Sequence, residues 1–248
     1  MRALVIAHEP DCHGGRVTER LVQRGFDVVT HVVTPDPGKP DRPDPWPDLA
    51  GFDLLVPMGS ERSLTRKHEI SSWVDIELGF LRDAHESGVP VFGVCFGGQL
   101  LAEAHGGTVE VSPVTELGWF DLSDGDGHNP AGAGPWFAWH HDRFSPPADA
   151  VTLARTDVAV HLFRLGRSVG TQFHPEVDVG VIETWLDASD DAYLAEYGVD
   201  RVDVAAACRR HEAAAIERSR ALVDWFLDDV AFPDGAARSF TRERTAGR

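Results

Sequence analysis

Cysteine is scarce: the chain has three, at positions 12, 95 and 208. An odd, widely spaced set supports neither a disulfide framework nor a zinc knuckle, and a reducing cytoplasm is the simplest compartment. Long apolar runs are missing as well. No segment approaches the roughly 20 residues of a membrane helix. The apolar stretch within Met1 to Pro10 is too short for a signal peptide and lacks a small-residue cleavage site. Positive charge is outweighed, with 23 Lys and Arg against 40 Asp and Glu, a formal net charge of −17 spread along the chain. A field of that sign repels phosphate backbones and anionic lipid, so neither nucleic acid nor membrane is expected as a partner. Internal repeats and a nucleotide-binding signature are absent too.

What remains is ordinary globular composition, 42% hydrophobic and 25% charged over 248 residues, enough for one α/β domain. Leu4 to Ala7 and Phe26 to Val33 read as buried strands around a helix from Arg16 to Arg24. Apolar rather than alternating strands point to a mostly parallel central sheet flanked by helices. Pro35 to Pro47 is a proline-rich exposed loop. Asp53 to Val56 gives a third strand. A helix follows from about Trp73 to Glu86, with Trp73, Ile76, Phe80 and Ala84 as its apolar stripe. Short strands are expected at 108–111, 118–122, 136–139, 151–154, 158–163 and 168–173. From Gly180 to Val230 the pattern turns helical, the last long helix running from about Val202. The organisation is one domain over 1–234, its helical part at 180–230, with a frayed tail over 235–248.

Two motifs carry chemistry. In Val89 to Gly107 a short apolar strand meets Cys95, then Phe96-Gly97-Gly98, then a helix from Gln99 to Ala104. A nucleophile on such a sharp turn needs small neighbours, and the new helix directs free N–H groups and its positive dipole end at the sulfur. A thiol nucleophile also needs a base. His174, in Gln172-Phe173-His174-Pro175-Glu176, follows an apolar strand at the sheet edge where α/β folds place ligands. Glu176 could accept a hydrogen bond from its imidazole and fix the tautomer.

The combination Gly93-Val94-Cys95-Phe96-Gly97-Gly98-Gln99 with Gln172-Phe173-His174-Pro175-Glu176 resembles the class I, triad-type glutamine amidotransferases. Within them it is most similar to free-standing proteins like the amidotransferase domain of GMP synthase. The resemblance covers the chain to about Glu183 and implies a flavodoxin-like α/β fold with a helical C-terminal extension. It also implies that Cys95 attacks the side-chain amide of glutamine, His174 moves the proton and Glu176 orients His174. Backbone N–H groups of Gly59 and Phe96 would hold the oxyanion, and Gln99 would contact substrate. Family members often carry paired glycines where this chain has Met58-Gly59. No cofactor and no metal are implied. The expected partner, beside glutamine as substrate, is a separate synthetase or acceptor subunit.

Other groups invite readings of their own. Adjacent His140 and His141 on a strand point to opposite faces and would not chelate one metal together. His140 is the one expected to line the glutamine or acceptor side. His8, Cys12 and His13 lack further ligands at a useful spacing. Glu116 to Trp119 resembles a family segment near the active site, while apolar packing of Trp119 explains it equally. Two alternatives to the amidotransferase stand beside it: a γ-glutamyl hydrolase of a small-molecule conjugate, and a non-catalytic subunit that keeps the fold.

Overall fold

A strand whose successive side chains are all apolar must be covered on both faces. In the first strand Ala3 and Val5 join one buried cluster while Leu4 and Ile6 join another, and all four are buried. The structure is a computed structural model that describes residues 1–235 apart from 11, 37 and 40. The expected tail beyond Gly235 lies outside the described residues.

The chain opens with β1 (Arg2–Ala7), α1 (Gly15–Gln23), β2 (Asp27–Val32), β3 (Leu54–Pro57), α2 (Val74–Glu86), β4 (Phe92–Val94) and α3 (Phe96–Ala104). Next come β5 (Thr108–Phe120), β6 (Ser123–Asp124), β7 (Trp136–Ser145), β8 (Val151–Arg155), β9 (Val160–Leu165) and β10 (Ser168–Thr171). Helices α4 (Val179–Ala188), α5 (Asp191–Glu196) and α6 (Arg201–Trp225) follow, and α6 runs into a π-helical turn at Phe226–Ala231.

Strands β2, β1 and β3 pair in parallel, and a bridge from Leu55 to Val91 leads on to β4. Strand β10 lies parallel to β4, whereas β9, β8 and β6 continue in antiparallel order. The sheet is therefore parallel where the helices alternate with strands and antiparallel where short turns connect them. Val94 pairs with Thr171, so the residues that follow leave the sheet side by side at its C-terminal edge. That register brings Cys95 next to Gln172, Phe173 and His174.

On one face α1, α6 and the π-helical turn bring Val17, Leu21, Leu222, Phe226 and Leu227 against Val5, Val56 and Val169. On the other, α2 and α3 bring Leu78, Leu81, Leu100 and Leu101 against Leu4, Ile6 and Leu55. Full burial of each such side chain contributes about 1.5–3 kcal/mol before conformational entropy is counted. Helix α1 is tied to α6 by Arg20 and Arg24, which hold Asp224 at 2.5 and 2.6 Å, and Arg24 also reaches Asp228 at 2.6 Å. Three aspartates cap the C-terminal helices: Asp178 accepts from Val181 N, Asp190 from Tyr193 N, and Asp200 from Val202 N and Asp203 N.

Several sequence expectations are corrected. Strand β2 is not buried but partly exposed, because it is the edge of the sheet. In α2 the buried face is Val74, Glu77, Leu78, Leu81 and Ala84, while Ile76 is 49% exposed. The strands expected at 108–111 and 118–122 are one strand, β5, whose register with β7 shifts between Val111 and Glu116. Strand β7 runs on to Ser145, so Trp139, His140, His141 and Asp142 alternate within it. Helix α3 begins at Phe96, three residues before the expected Gln99.

Candidate active site

Cys95 has φ 50° and ψ −104°, and among the described residues it is the one non-glycine with positive φ. Such a conformation costs about 1–3 kcal/mol and persists only where the surroundings impose it. Here Cys95 N donates to Thr171 O at 2.8 Å, Gly97 N to Met58 O at 3.0 Å and Gln99 N to Cys95 O at 2.9 Å. The flanking glycines are required by close approach. A Cβ on Gly97 would overlap the Pro57 carbonyl, and one on Gly98 would lie 2.5 Å from Thr171 O. Helix α3 starts one residue after the sulfur, which places its positive end there.

The base expected from the sequence stands beside it. His174 Nδ1 lies 2.7 Å from Glu176 Oε1, and both side chains are buried. The imidazole packs against Trp185, ring centroids 5.2 Å apart, and Phe137. Burial pushes the His174 pKa down, but the charges of Glu176 and Cys95 and hydrogen bonds to them hold it well above the usual imidazole range. With Nδ1 taken by Glu176, Nε2 is the nitrogen left to interact with the sulfur. The backbone around Glu176 is anchored twice: Arg16 N donates to Glu176 O at 2.9 Å, and Ser219 Oγ to Pro175 O at 2.7 Å.

Gly59 lies against both side chains. A Cβ placed on it would sit 3.3 Å from His174 Cε1 and 3.8 Å from Cys95 Cβ. Its preceding peptide is oriented by the Gly97 N–H on Met58 O, which turns the Gly59 N–H the other way. Among the described residues neither Gly59 N–H nor Phe96 N–H donates to a protein acceptor.

Two further side chains meet at the sulfur. Gln172 Nε2 donates to Cys95 Sγ at 3.5 Å, and Gln172 Oε1 accepts from Gln99 Nε2 at 3.3 Å. Gln99 Nε2 also donates to Asp142 O at 3.1 Å. Gln99 does line the cavity above Cys95, but its amide nitrogen is committed to protein acceptors. His140 also borders the cavity. Its Nδ1 lies 3.1 Å from Asp142 O, and its Nε2 turns inward to 3.1 Å from Glu116 Oε2, the same oxygen that His161 Nε2 reaches at 2.9 Å. Burial, opposed by Glu116, lowers the His140 pKa. The Glu116 carboxyl falls to about 2, because hydrogen bonds and charge from the two histidines overcome its burial. Among the described residues Glu116, His140 and His161 are the group whose donor atoms converge closely enough to hold a cation. The sequence offered no sign of it, since the three lie on β5, β7 and β9. As expected, His141 faces the opposite way, 2.6 Å from Tyr193 OH. Trp119 does pack, against Phe137, with its Nε1 donating to Cys208 Sγ at 3.3 Å.

The cavity over these groups has a volume of about 1450 Å³. One wall is aromatic, with Trp139 from β7, Trp185 from α4, Tyr193 from α5 and Tyr197 at the end of that helix. No helix among the described residues is long and apolar enough to cross a membrane.

This architecture is that of the glutamine amidotransferases. A glutamine amidotransferase from Thermotoga maritima superposes with a TM-score of 0.79 at 20% identity, over 92% of this chain and 99% of that one. One from Methylobacillus flagellatus gives 0.75 at 24% identity, over 92% and 95%. Residues 65–186 match the family model described as "Glutamine amidotransferase class-I". Over those residues the chain is similar to the class I glutamine amidotransferases, and over the rest it shares the fold of the solved neighbours. Among curated relatives, the GMP synthase [glutamine-hydrolyzing] of Yersinia pestis (strain Pestoides F) is 40% identical over 107 residues, 37% of this chain and 20% of that protein. The match thus spans about a fifth of that relative's length.

Proposed function

We propose that the chain hydrolyses the side-chain amide of glutamine through a Cys95 thioester. His174 Nε2 takes the thiol proton as Sγ attacks the amide carbon. The oxyanion accepts from the N–H groups of Gly59 and Phe96, which need no reorganisation as charge develops. His174 then gives its proton to the leaving nitrogen, and ammonia departs. Water, deprotonated by the same imidazole, opens the thioester to glutamate and returns the thiol. Glu176 keeps Nδ1 protonated throughout, so Nε2 always faces the reaction. The observation that carries this reading is Cys95, held at φ 50° beside an imidazole that is itself 2.7 Å from a buried carboxylate.

The ammonia passes to an acceptor bound on a separate synthetase subunit, in keeping with the GMP synthase relatives. The acceptor's identity is a matter for co-purification. The test is direct. Purified protein with glutamine, alone and with partners captured from its source, should release glutamate with a stoichiometric Cys95 adduct when a glutamine-analogue electrophile is added. Cys95→Ser should give neither. Complete failure of the wild type to form the adduct under all these conditions would remove the proposal and favour the non-catalytic subunit.

One observation favours a second reading, hydrolysis of a γ-glutamyl conjugate. The cavity exceeds the roughly 300–1,000 Å³ of ordinary small-molecule sites, and its lining includes the aromatic side chains of Trp139, Trp185, Tyr193 and Tyr197. A kcat/KM higher for γ-glutamyl aromatic amides than for glutamine would select it.

A further inference from the structure

His8 follows β1 and has no exposed surface. Its ring is boxed by Trp73 and Phe96, with centroids 5.5 and 4.8 Å away. Nδ1 lies 2.9 Å from the Gly59 carbonyl oxygen, and Nε2 lies 3.2 Å from both carboxylate oxygens of Glu77, which is also fully buried. A carbonyl oxygen can only accept, and so can an ionised carboxylate. Both contacts are hydrogen bonds only if a second proton is present, on the ring or shared with Glu77. In either arrangement the Nδ1–H stays on Gly59. Burial pushes the His8 pKa down, but the charge and hydrogen bond of Glu77, with Glu9 and the Gly59 carbonyl, outweigh it and raise it.

The position of this pair matters because of what Gly59 is. Glycine holds its own backbone orientation less firmly than any other residue. A side chain here would be crowded, since a Cβ would lie 3.3 Å from His174 Cε1. Rigidity must therefore come from neighbours. The peptide before Gly59 is fixed by Gly97 N on Met58 O. The peptide after it is fixed through the Gly59 carbonyl, which also accepts from Cys12 Sγ at 3.0 Å, a weak donor.

We propose that His8, held by Glu77, is a positioning residue of the oxyanion hole, its Nδ1–H locking the Gly59 carbonyl so that the Gly59 N–H stays aimed at the developing oxyanion. The pair also presents its positive end towards Gly59 and its negative end towards α2, a dipole oriented to favour an oxyanion. The inference rests on the proposed role of the Gly59 N–H.

The experiment measures turnover and simple thiol chemistry side by side. In His8→Ala, kcat for a γ-glutamyl amide should fall about 10²-fold, the scale of one lost oxyanion donor, with KM within threefold. His8→Gln, which can still donate to Gly59, should recover part of the loss, and Glu77→Gln should fall between. Alkylation of Cys95 by iodoacetamide, which builds no tetrahedral oxyanion, should proceed at the wild-type rate. A folded His8→Ala with kcat within twofold of wild type overturns the proposal. So does an alkylation rate that falls in step with kcat. Should His8→Ala fail to fold, the same comparison is made with His8→Gln and Glu77→Gln. If the wild type turns nothing over, the catalytic reading of Gly59 fails separately. Nitrogen-15 spectra of labelled histidine then decide the clamp: a His8 Nδ1–H coupled to the Gly59 carbonyl supports it, and an unprotonated Nδ1 overturns it.

Discussion

Replacing Glu176 with glutamine changes one atom type in a buried contact, and the structure sets the size of the effect. The side chain keeps its shape, but the 2.7 Å contact to His174 Nδ1 loses its charge. If the amide oxygen faces Nδ1, the tautomer survives and the charge-assisted bond becomes a neutral one. A charged hydrogen bond is worth about 1.5–3 kcal/mol and a neutral one about 0.5–1.5, so the exchange slows kcat by roughly 5- to 13-fold. If the amide nitrogen faces Nδ1, the ring proton moves to Nε2, and His174 can no longer accept from Cys95. The loss then approaches about 10⁴-fold, the scale of tautomer inversion in a serine triad. The second arrangement is favoured if the new amide oxygen finds a donor where Glu176 Oε2 has none among the described residues. The pH dependence supplies a sign. Glu176 raises the His174 pKa, so its neutralisation must move the His174 inflection to lower pH. Steady-state hydrolysis of a chromogenic γ-glutamyl anilide across pH reads both quantities. A variant within threefold of wild type, with an unmoved profile, would refute the assignment of Glu176 as the orienting group.

Gly97→Ala should destabilise the protein by at least the roughly 1–3 kcal/mol typical of overpacking, since its Cβ would meet the rigid Pro57 carbonyl. Urea midpoints check this. Glu116→Gln should lower stability by about 3 kcal/mol near neutral pH, from a carboxyl shifted from 4.5 to about 2 in the folded state. A depressed folded pKa stabilises above pH about 4.5, and that advantage is lost as pH falls towards about 2, so the wild-type and variant stability curves should converge in acid. Trp185→Ala should raise KM for γ-glutamyl aromatic amides more than for glutamine, as Trp185 belongs to the aromatic wall beside His174. Equal effects on both substrates would set the conjugate reading aside.

The chain announces its site more clearly than its sheet. Cys95 and His174 are legible because their requirements are local: glycines that clear a turn, and a proline that ends a strand. Their meeting follows from one register, Val94 against Thr171, in two parallel strands. What stayed hidden depends on partners distant in sequence. Glu77 sits on the buried face of α2, where it meets His8, while Ile76 lies on the exposed one. His161 looks like any strand residue until Glu116 and His140 are placed beside it. The single long β5 was masked by Ser112 to Thr115, where its register with β7 slips.

The two anchors on the Pro175–Glu176 backbone come from opposite ends of the chain, Arg16 and Ser219. Synthesis runs from N- to C-terminus, so Cys95, His174 and Glu176 have all been polymerised before the last of those anchors exists. A nascent chain at that stage holds all three of these side chains and still lacks one anchor of the Pro175–Glu176 backbone. The hydrogen bonds that hold the Pro175–Glu176 backbone are therefore complete only once α6 has been made.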